Sequence, residues 1–445
     1  MKFRSRFAPS PTGLLHVGNL RSALINWAYI NKIGGEFILR IDDTDQNRSK
    51  KDFEYKIKEH LNWVGINWTN TFNQSDRINK YEEKIIELKR SKKIYPCFET
   101  TEELSLKRKT LLTSGLPPIY DRSSLNLNKN EIDELIKKGK KPHWRFKLND
   151  EKIIWDDLIK GHIEFDSKNL SDPILIREDG SFLYHLPSVL DDIEENITHI
   201  IRGDDHISNT AFHIQIFNAF KSKIPKFGHH PFLLDENGKG FGKRIDSLSI
   251  KNLIDNNFEN TTLINYLLTI GTSHNISKEK NVKNLILNFD IKNLASSSPK
   301  FSLDQLTKLN KDIIQSYDFS EVKDRFNQLN FTNIDQKFWK LIKYNINFFS
   351  DSFEWYKIIN SNDVFIKDNN EYFNLAAKLL PKEPFNEYTW DEWTAAIKKN
   401  TEKKGKEIFM PLRIALTGKE KGPELKYLIP LLNRNMILKK LGFID

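Results

Sequence analysis

The chain has 445 residues, 38% hydrophobic and 29% charged, and no apolar run nears the ~18 residues of a bilayer span, which excludes fibrous, wholly disordered and membrane-spanning classes. Lys and Arg number 69 against 60 Asp and Glu, a formal net charge of +9, and that balance favours an anionic partner such as nucleic acid or a nucleotide. The single cysteine, Cys97, excludes an internal disulfide framework and a multi-cysteine zinc knuckle. At roughly 100–200 residues per domain, two to four domains are expected. The opening stretch from Met1 to Pro9 lacks the apolar core of a signal peptide, so a cytoplasmic protein is expected.

In chain order, Phe3–Phe7 reads as a short strand running into the turn-rich loop Pro9–Gly13. A helix follows with Leu20, Leu24, Trp27 and Ala28 on one face, and Gly34-Gly35 ends it. Glu36–Ile41 is a second strand, closed by Asp42-Asp43-Thr44-Asp45. The next helix carries Phe53, Ile57, Leu61 and Val64 and stops at Gly65. This strand–loop–helix–strand order predicts a parallel α/β sheet. From about Arg77 to Pro187 the pattern reads as an insertion. It holds a helix with Tyr81, Ile85 and Leu88, strands at Trp144–Leu148 and Ile174–Arg177, and an Asp179-Gly180 hairpin turn to a strand at Phe182–His185. The α/β pattern resumes with a strand at Thr198–Arg202 and a helix capped by Asn209-Thr210. Helical patterns dominate from Ile250 onward, broken at Ser296–Pro299.

Two stretches carry chemistry. A first strand ending at a helix N-terminus is where α/β sheets bind phosphates, because N–H groups and the helix dipole favour an anion there. In that place stand His16, which can donate to a phosphate oxygen, and Gly18, which lets a ribose or ring approach the backbone. The second stretch, Gly238–Arg244, brings Lys243 and Arg244 on a glycine-rich loop. It is not a Walker A loop, since Asn237 and Arg244 replace its first Gly and its Ser/Thr. Alone, the first stretch also fits an ordinary strand–helix turn and the second a solvated basic loop.

Together the motifs say more. RFAPSPTGLLHVGN at Arg6–Asn19, RIDDTD at Arg40–Asp45, THIIRGDDHISNT at Thr198–Thr210 and GKGFGKR at Gly238–Arg244 occur in that order, with an insertion between the halves. This set resembles the class I aminoacyl-tRNA synthetases of the glutamyl type. His16-Val17-Gly18-Asn19 resembles the HIGH-type signature, and Gly240–Arg244 resembles the KMSKS-type loop, usually KLSKR in that family. Tyr95-Pro96-Cys97, Tyr120-Asp121 and Met410–Gly418 extend the resemblance over nearly the whole chain.

The resemblance implies an α/β fold: a Rossmann-type catalytic domain split by an acceptor-stem insertion, plus an all-helical C-terminal anticodon-binding domain. The expected boundaries are 1–76 and 188–249 for the catalytic halves, 77–187 for the insertion, 250–311 for a stem-contact region and 312–445 for the anticodon domain. It implies ATP-dependent activation of L-glutamate and transfer to tRNA-Glu, with Mg²⁺ on the phosphates. His16 and Lys243 are the implied catalytic residues, and Gly18, Asn19 and Arg244 join them in binding ATP. Arg6, Ser10, Asp42, Tyr184 and Arg202 are the implied glutamate site, the arginines offering planar forks for a carboxylate. A monomer is expected.

Departures from the family pattern matter. Asp42 stands where Glu is usual, and the KLSKR-type loop has Gly240 and Gly242 for its first Lys and its Ser. A slower enzyme, or a silent tRNA-binding paralogue, is the alternative that these glycines raise. Some relatives hold zinc in the insertion through several cysteines; with Cys97 alone, no structural zinc is expected here. His185–Asp192 (HLPSVLDD) and the Gly240 loop resemble second-copy enzymes, some of which charge tRNA-Gln and leave an amidotransferase to correct the product. Lys398, Lys399, Lys403, Lys404 and Lys406, with Trp390 and Trp393 nearby, suit phosphates and stacked bases, or equally a solvated helix with core tryptophans.

Overall fold

A computed structural model describes residues 2–240, 248–332, 334–361, 363–366 and 371–443. The chain divides into two units, Met1–Asn256 with Leu263–Ser302, and Asn257–Thr262 with Leu303–Asp445.

The first unit begins β1 (Arg4–Phe7), α1 (Val17–Lys32), β2 (Glu36–Ile41), α2 (Lys51–Trp63) and β3 (Asn70–Asn73). Strand β2 is the near-continuous apolar run FILRI, buried from Phe37 onward, as a parallel strand covered on both faces requires. Helix α1 buries Leu20, Leu24, Trp27 and Ala28 as the spacing predicts. Its stop is steric as well as conformational. Gly34 has φ +69°, and a Cβ on Gly35 would lie 2.7 Å from the Phe3 carbonyl oxygen.

After α3 (Ile78–Arg90) come β4 (Ile94–Cys97), α4 (Thr101–Thr113), α5 (Lys129–Lys137) and β5 (His143–Phe146). The hairpin β6 (Lys152–Asp157) and β7 (Gly161–Asp166) and then β8 (Ile174–Ile176) complete this part. Strands β4, β5 and β8 form one antiparallel sheet, and β6 and β7 pair with each other. The chain returns through α6 (His185–Glu194), β9 (His199–Gly203), α7 (Ile207–Ala219) and β10 (Lys226–His230).

Strands β10-β9-β1-β2-β3 lie in that order and every pair is parallel. The chain builds outward from β1 to β3, then returns to the other side of β1. The strand order therefore reverses between β1 and β9, and such sheets bind ligands outside the strand carboxyl ends at that point. Ile38, Tyr81, Ile85, Phe146, Leu175 and Phe217 belong to one buried apolar cluster that joins the parallel sheet to the smaller ones.

Two local expectations change. Asp179-Gly180 does turn the chain, with Gly180 at φ +84°, but only Ile176 and Phe182 bridge across it. The segment does not continue as a strand, because helix α6 starts at His185 to bury Leu186, Val189 and Leu190. Asn209 is not a cap. A 3₁₀ turn at Asp204–His206 leads straight into α7, and Asn209 lies inside the helix with its amide against His206 Nδ1 at 2.9 Å.

The second unit is helical among the described residues, with helices that include Leu303–Ser316, Phe319–Gln328, Ser352–Asn360, Thr389–Lys399 and Lys406–Thr417. Its core gathers Phe326, Trp339, Trp355, Trp393 and Leu412. The described residues contain no helix long and apolar enough to cross a membrane.

Candidate active site

A cleft of about 830 Å³ opens at the carboxyl ends of β1, β2 and β9, beside the start of α1. Arg6, Ser10, His16, Gly18, Asn19, Asp42, Tyr184 and Arg202 all line it. Those are all the expected site residues except Lys243 and Arg244, which lie outside the described residues. Gly240, three residues before Lys243, lines the same cleft.

His16 is the N-cap of α1. Its Nδ1 accepts from the Gly18 and Asn19 backbone N–H groups at 3.1 and 3.4 Å, and the Asn19 side chain accepts from the His16 N–H at 3.4 Å. The expectation of open N–H groups at this helix start is corrected: the imidazole already takes two of them. What it gains is a defined tautomer. With Nδ1 accepting and burial lowering the ring's pKa, the neutral imidazole carries its proton on Nε2, as a donor.

Arg40 and Asp42 pair through both oxygens, at 2.6 and 3.1 Å. Arg40 also reaches Asp192 at 3.1 Å, and Asp192 grips Arg6 through two bonds at 2.9 and 3.2 Å. The adjacent Asp191 accepts from Tyr81 at 3.0 Å, Gln74 at 2.8 Å and Arg77 at 3.3 Å. Pairing and hydrogen bonding of this kind offset the cost of burying these charges. Arg6 and Asp42 are thus both committed to ion pairs.

Arg202 differs. It is buried, and its partners are neutral: Nη1 donates to the Tyr184 hydroxyl at 2.9 Å, and Nη2 to Thr210 Oγ at 2.6 Å and to the His206 carbonyl at 3.4 Å. Asp204 binds Lys160 at 3.0 Å and Asp205 lies 3.5 Å from His206. Neither pairs with Arg202, and no carboxylate among the described residues forms an ion pair with it. The imidazoles around it add no charge at neutral pH. Burial, and then the Arg202 charge itself, takes His185 down to about 4 and His206 to about 3.

The sequence pointed to no site role of their own for Arg40, Asp191, Asp192, Thr210, His229 or Arg21. Arg21, fully buried, holds α1 to the chain after β10 by donating to the Pro231 carbonyl at 2.8 Å and to the Ile270 carbonyl at 3.0 Å. Burial brings it to about 10. Arg40 and Arg21 are charges within an otherwise apolar strand and helix face, which is the signal that could have found them.

Among the described residues, Cys97, Glu99 and His143 form one group spaced to hold a metal ion, their donor atoms within 4.8 Å of one another. Burial opposes the Glu99 charge. Hydroxyls of Tyr120 at 2.8 Å, Ser123 at 2.9 Å and Ser124 at 3.0 Å overcome it and bring the carboxyl to about 2. Burial pushes the Cys97 thiol up and takes His143 down to about 4, and His143 Nε2 has no hydrogen-bond partner. A structural zinc site needs four ligands with the thiol ionised. One thiol, one imidazole and a carboxylate already holding three hydroxyls make three candidate ligands, one short of that set.

In the second unit Lys398, Lys399, Lys403, Lys404 and Lys406 are exposed. Trp393 is in the core and donates to the Ala376 carbonyl at 2.8 Å. Of its two readings, core filler is therefore the one that holds. Trp390 is partly buried against it.

Residues 2–308 match the family model "tRNA synthetases class I (E and Q), catalytic domain", and residues 336–444 match "Anticodon binding domain". The chain is 44% identical to "Glutamate--tRNA ligase 1" of Rickettsia bellii and 45% identical to "Glutamate--tRNA ligase 2" of Rickettsia canadensis, over 99% of both chains in each case. A solved glutamate tRNA ligase from Elizabethkingia meningosepticum, in complex with its amino acid, shares the fold with a TM-score of 0.84 at 24% identity over 99% of each chain.

Proposed function

The chain belongs to the glutamate--tRNA ligases, class I aminoacyl-tRNA synthetases, and from that premise we propose how its cleft divides the work. The enzyme joins L-glutamate to tRNA. The glutamate α-carboxylate attacks the α-phosphorus of ATP and pyrophosphate leaves. A ribose hydroxyl at the tRNA 3′ end then attacks the adenylate carbonyl and AMP leaves. The first nucleophile is ionised at neutral pH, so catalysis is positioning and charge stabilisation rather than base chemistry.

The observation that carries the assignment is Arg202, a buried cation with only neutral partners. It takes the substrate γ-carboxylate, with the Tyr184 hydroxyl beside it. Glutamine would leave this charge unpaired, and that penalty rejects it. Arg6, turned by Asp192, presents its remaining Nη1 to the same carboxylate. Ser10 and Asp42 hold the α-ammonium; Arg40 keeps Asp42 in place despite its missing methylene.

ATP enters as its Mg²⁺ complex. His16 Nε2–H, Lys243 and Arg244 stabilise the triphosphate as charge moves onto pyrophosphate, and Gly18 and Asn19 let the nucleotide approach α1. The 77–187 insertion meets the acceptor stem without structural zinc, and the helical region from 312 meets the anticodon. The enzyme works in the cytoplasm as a monomer. Its tRNA is tRNA-Glu; acceptance of tRNA-Gln would add an amidotransferase downstream.

The test is Arg202→Gln, assayed by pyrophosphate exchange in the presence of tRNA. Removing one member of a buried charge pair costs several kcal/mol. The expected result is a fall of about a hundredfold or more in kcat/KM for glutamate, with KM for ATP little changed. An unchanged preference for glutamate over glutamine would refute the assignment.

A further inference from the structure

Behind Arg202 runs a chain of three buried side chains from three different elements. Thr210 of α7 accepts from Arg202 Nη2 at 2.6 Å, and its hydroxyl lies 2.9 Å from His229 Nε2 on β10. His229 Nδ1 lies 2.5 Å from Asp157 Oδ2 at the end of β6. Asp157, in turn, is fastened by its other oxygen, which accepts from the backbone N–H groups of Ile159, Lys160 and His229, all at 3.0 Å. The side chains of Asp157 and His229 have no solvent exposure, and Thr210 has none.

The donor directions follow from one end. Asp157 is held as a carboxylate by these N–H donors and accepts, so His229 Nδ1 carries the proton and Nε2 is the acceptor. Thr210 then donates its O–H to Nε2 and keeps its lone pairs for Arg202. Every bond points the same way, from the guanidinium toward the carboxylate. The guanidinium plane is fixed, with His229 Nε2 also 3.5 Å from Arg202 Nε, yet the compensating negative charge of Asp157 stands behind these neutral groups, out of ion-pair contact. A carboxylate placed directly on Arg202 would compete with the substrate. This arrangement orients the cation without neutralising it.

We propose that Thr210, His229 and Asp157 are positioning residues that set the Arg202 fork for the substrate γ-carboxylate, and so determine selection of glutamate over glutamine. This rests on the assignment of Arg202 as the carboxylate site. None of the three needs to touch substrate.

The experiment compares Thr210→Val, Thr210→Ser and Arg202→Gln in tRNA-supported pyrophosphate exchange, with glutamate, glutamine and ATP varied in turn. A hydrogen bond to a charged group predicts a rise of about ten- to a hundredfold in KM for glutamate in Thr210→Val. KM for ATP should stay within about twofold of the parent, the glutamate-to-glutamine preference should fall, and Thr210→Ser should restore both. If Arg202→Gln raises the glutamate KM and Thr210→Val does not, the positioning chain is wrong and the Arg202 assignment stands. If Arg202→Gln leaves glutamate binding unchanged, the assignment itself fails. Equal losses for glutamate and ATP in Thr210→Val would mean a merely structural role and would overturn the proposal. Should Thr210→Val not fold, Asp157→Asn loosens the far end of the same chain and is read by the same outcomes.

Discussion

His16 uses its two ring nitrogens for two tasks. Nδ1 caps α1 as an acceptor, so Nε2 carries the proton of the neutral ring. The tasks separate in His16→Asn, because Asn is a good N-cap but does not reach as far. The variant should melt close to the parent, while adenylate formation falls about 10²- to 10³-fold, the usual worth of one transition-state donor. Parent-like adenylate formation with an unchanged melting point would show that His16 only caps. That these residues line the cleft was legible in the sequence where a motif fixes them at a strand end or helix start: Arg6, His16, Asp42 and Arg202 each stand where β1, α1, β2 or β9 meets the cleft. Their partners were not legible. Arg6 and its Asp192 are 186 positions apart, and nothing local in the chain announces that pairing. The uncompensated state of Arg202 is likewise a property of distant residues, since its own neighbours Asp204 and Asp205 turned out to serve Lys160 and His206.

At the scale of elements, hydrophobic period was the reliable guide where segments are long. Helices α1, α2 and α3 and strand β2 follow their apolar spacing, and steric closure at Gly35 adds to the glycine pair as a stop. Short elements were harder. Hairpin β6–β7 carries a clear in–out alternation, with Ile153, Trp155 and Asp157 buried, but a polar flank and a buried aspartate hide it from a hydrophobic reading. That aspartate is the anchor of the chain behind Arg202, so the element least visible in the sequence supports the site. The β4–β5 region makes its own prediction. Glu99 is held by three hydroxyls and Cys97 is a raised, buried thiol, so this region should fold without metal. Elemental analysis of the purified protein should find well under one zinc per chain, and a chelator should leave the melting temperature unchanged. One tightly held equivalent, lost together with stability on chelation, would contradict this reading and make His143 a ligand.

At the scale of the whole molecule, the net charge of +9 and the helical, lysine-rich C-terminal part suit a polyanionic partner. The catalytic and anticodon-binding matches cover most of the chain. The silent-paralogue alternative rested only on the glycines of the Gly240–Arg244 loop, and nothing among the described residues of the cleft favours it. Fold class was legible because period, glycine stops and ordered motifs agree across the chain. The choice of tRNA was not, because it depends on a few side chains meeting a partner whose shape the sequence does not encode. The most direct test of the central claim is aminoacylation of separate tRNA-Glu and tRNA-Gln transcripts with labelled glutamate by the purified protein. ATP-dependent charging of tRNA-Glu is the predicted result, and charging of tRNA-Gln as well would add the indirect amidation route. Binding of tRNA without charging of either transcript would contradict the account.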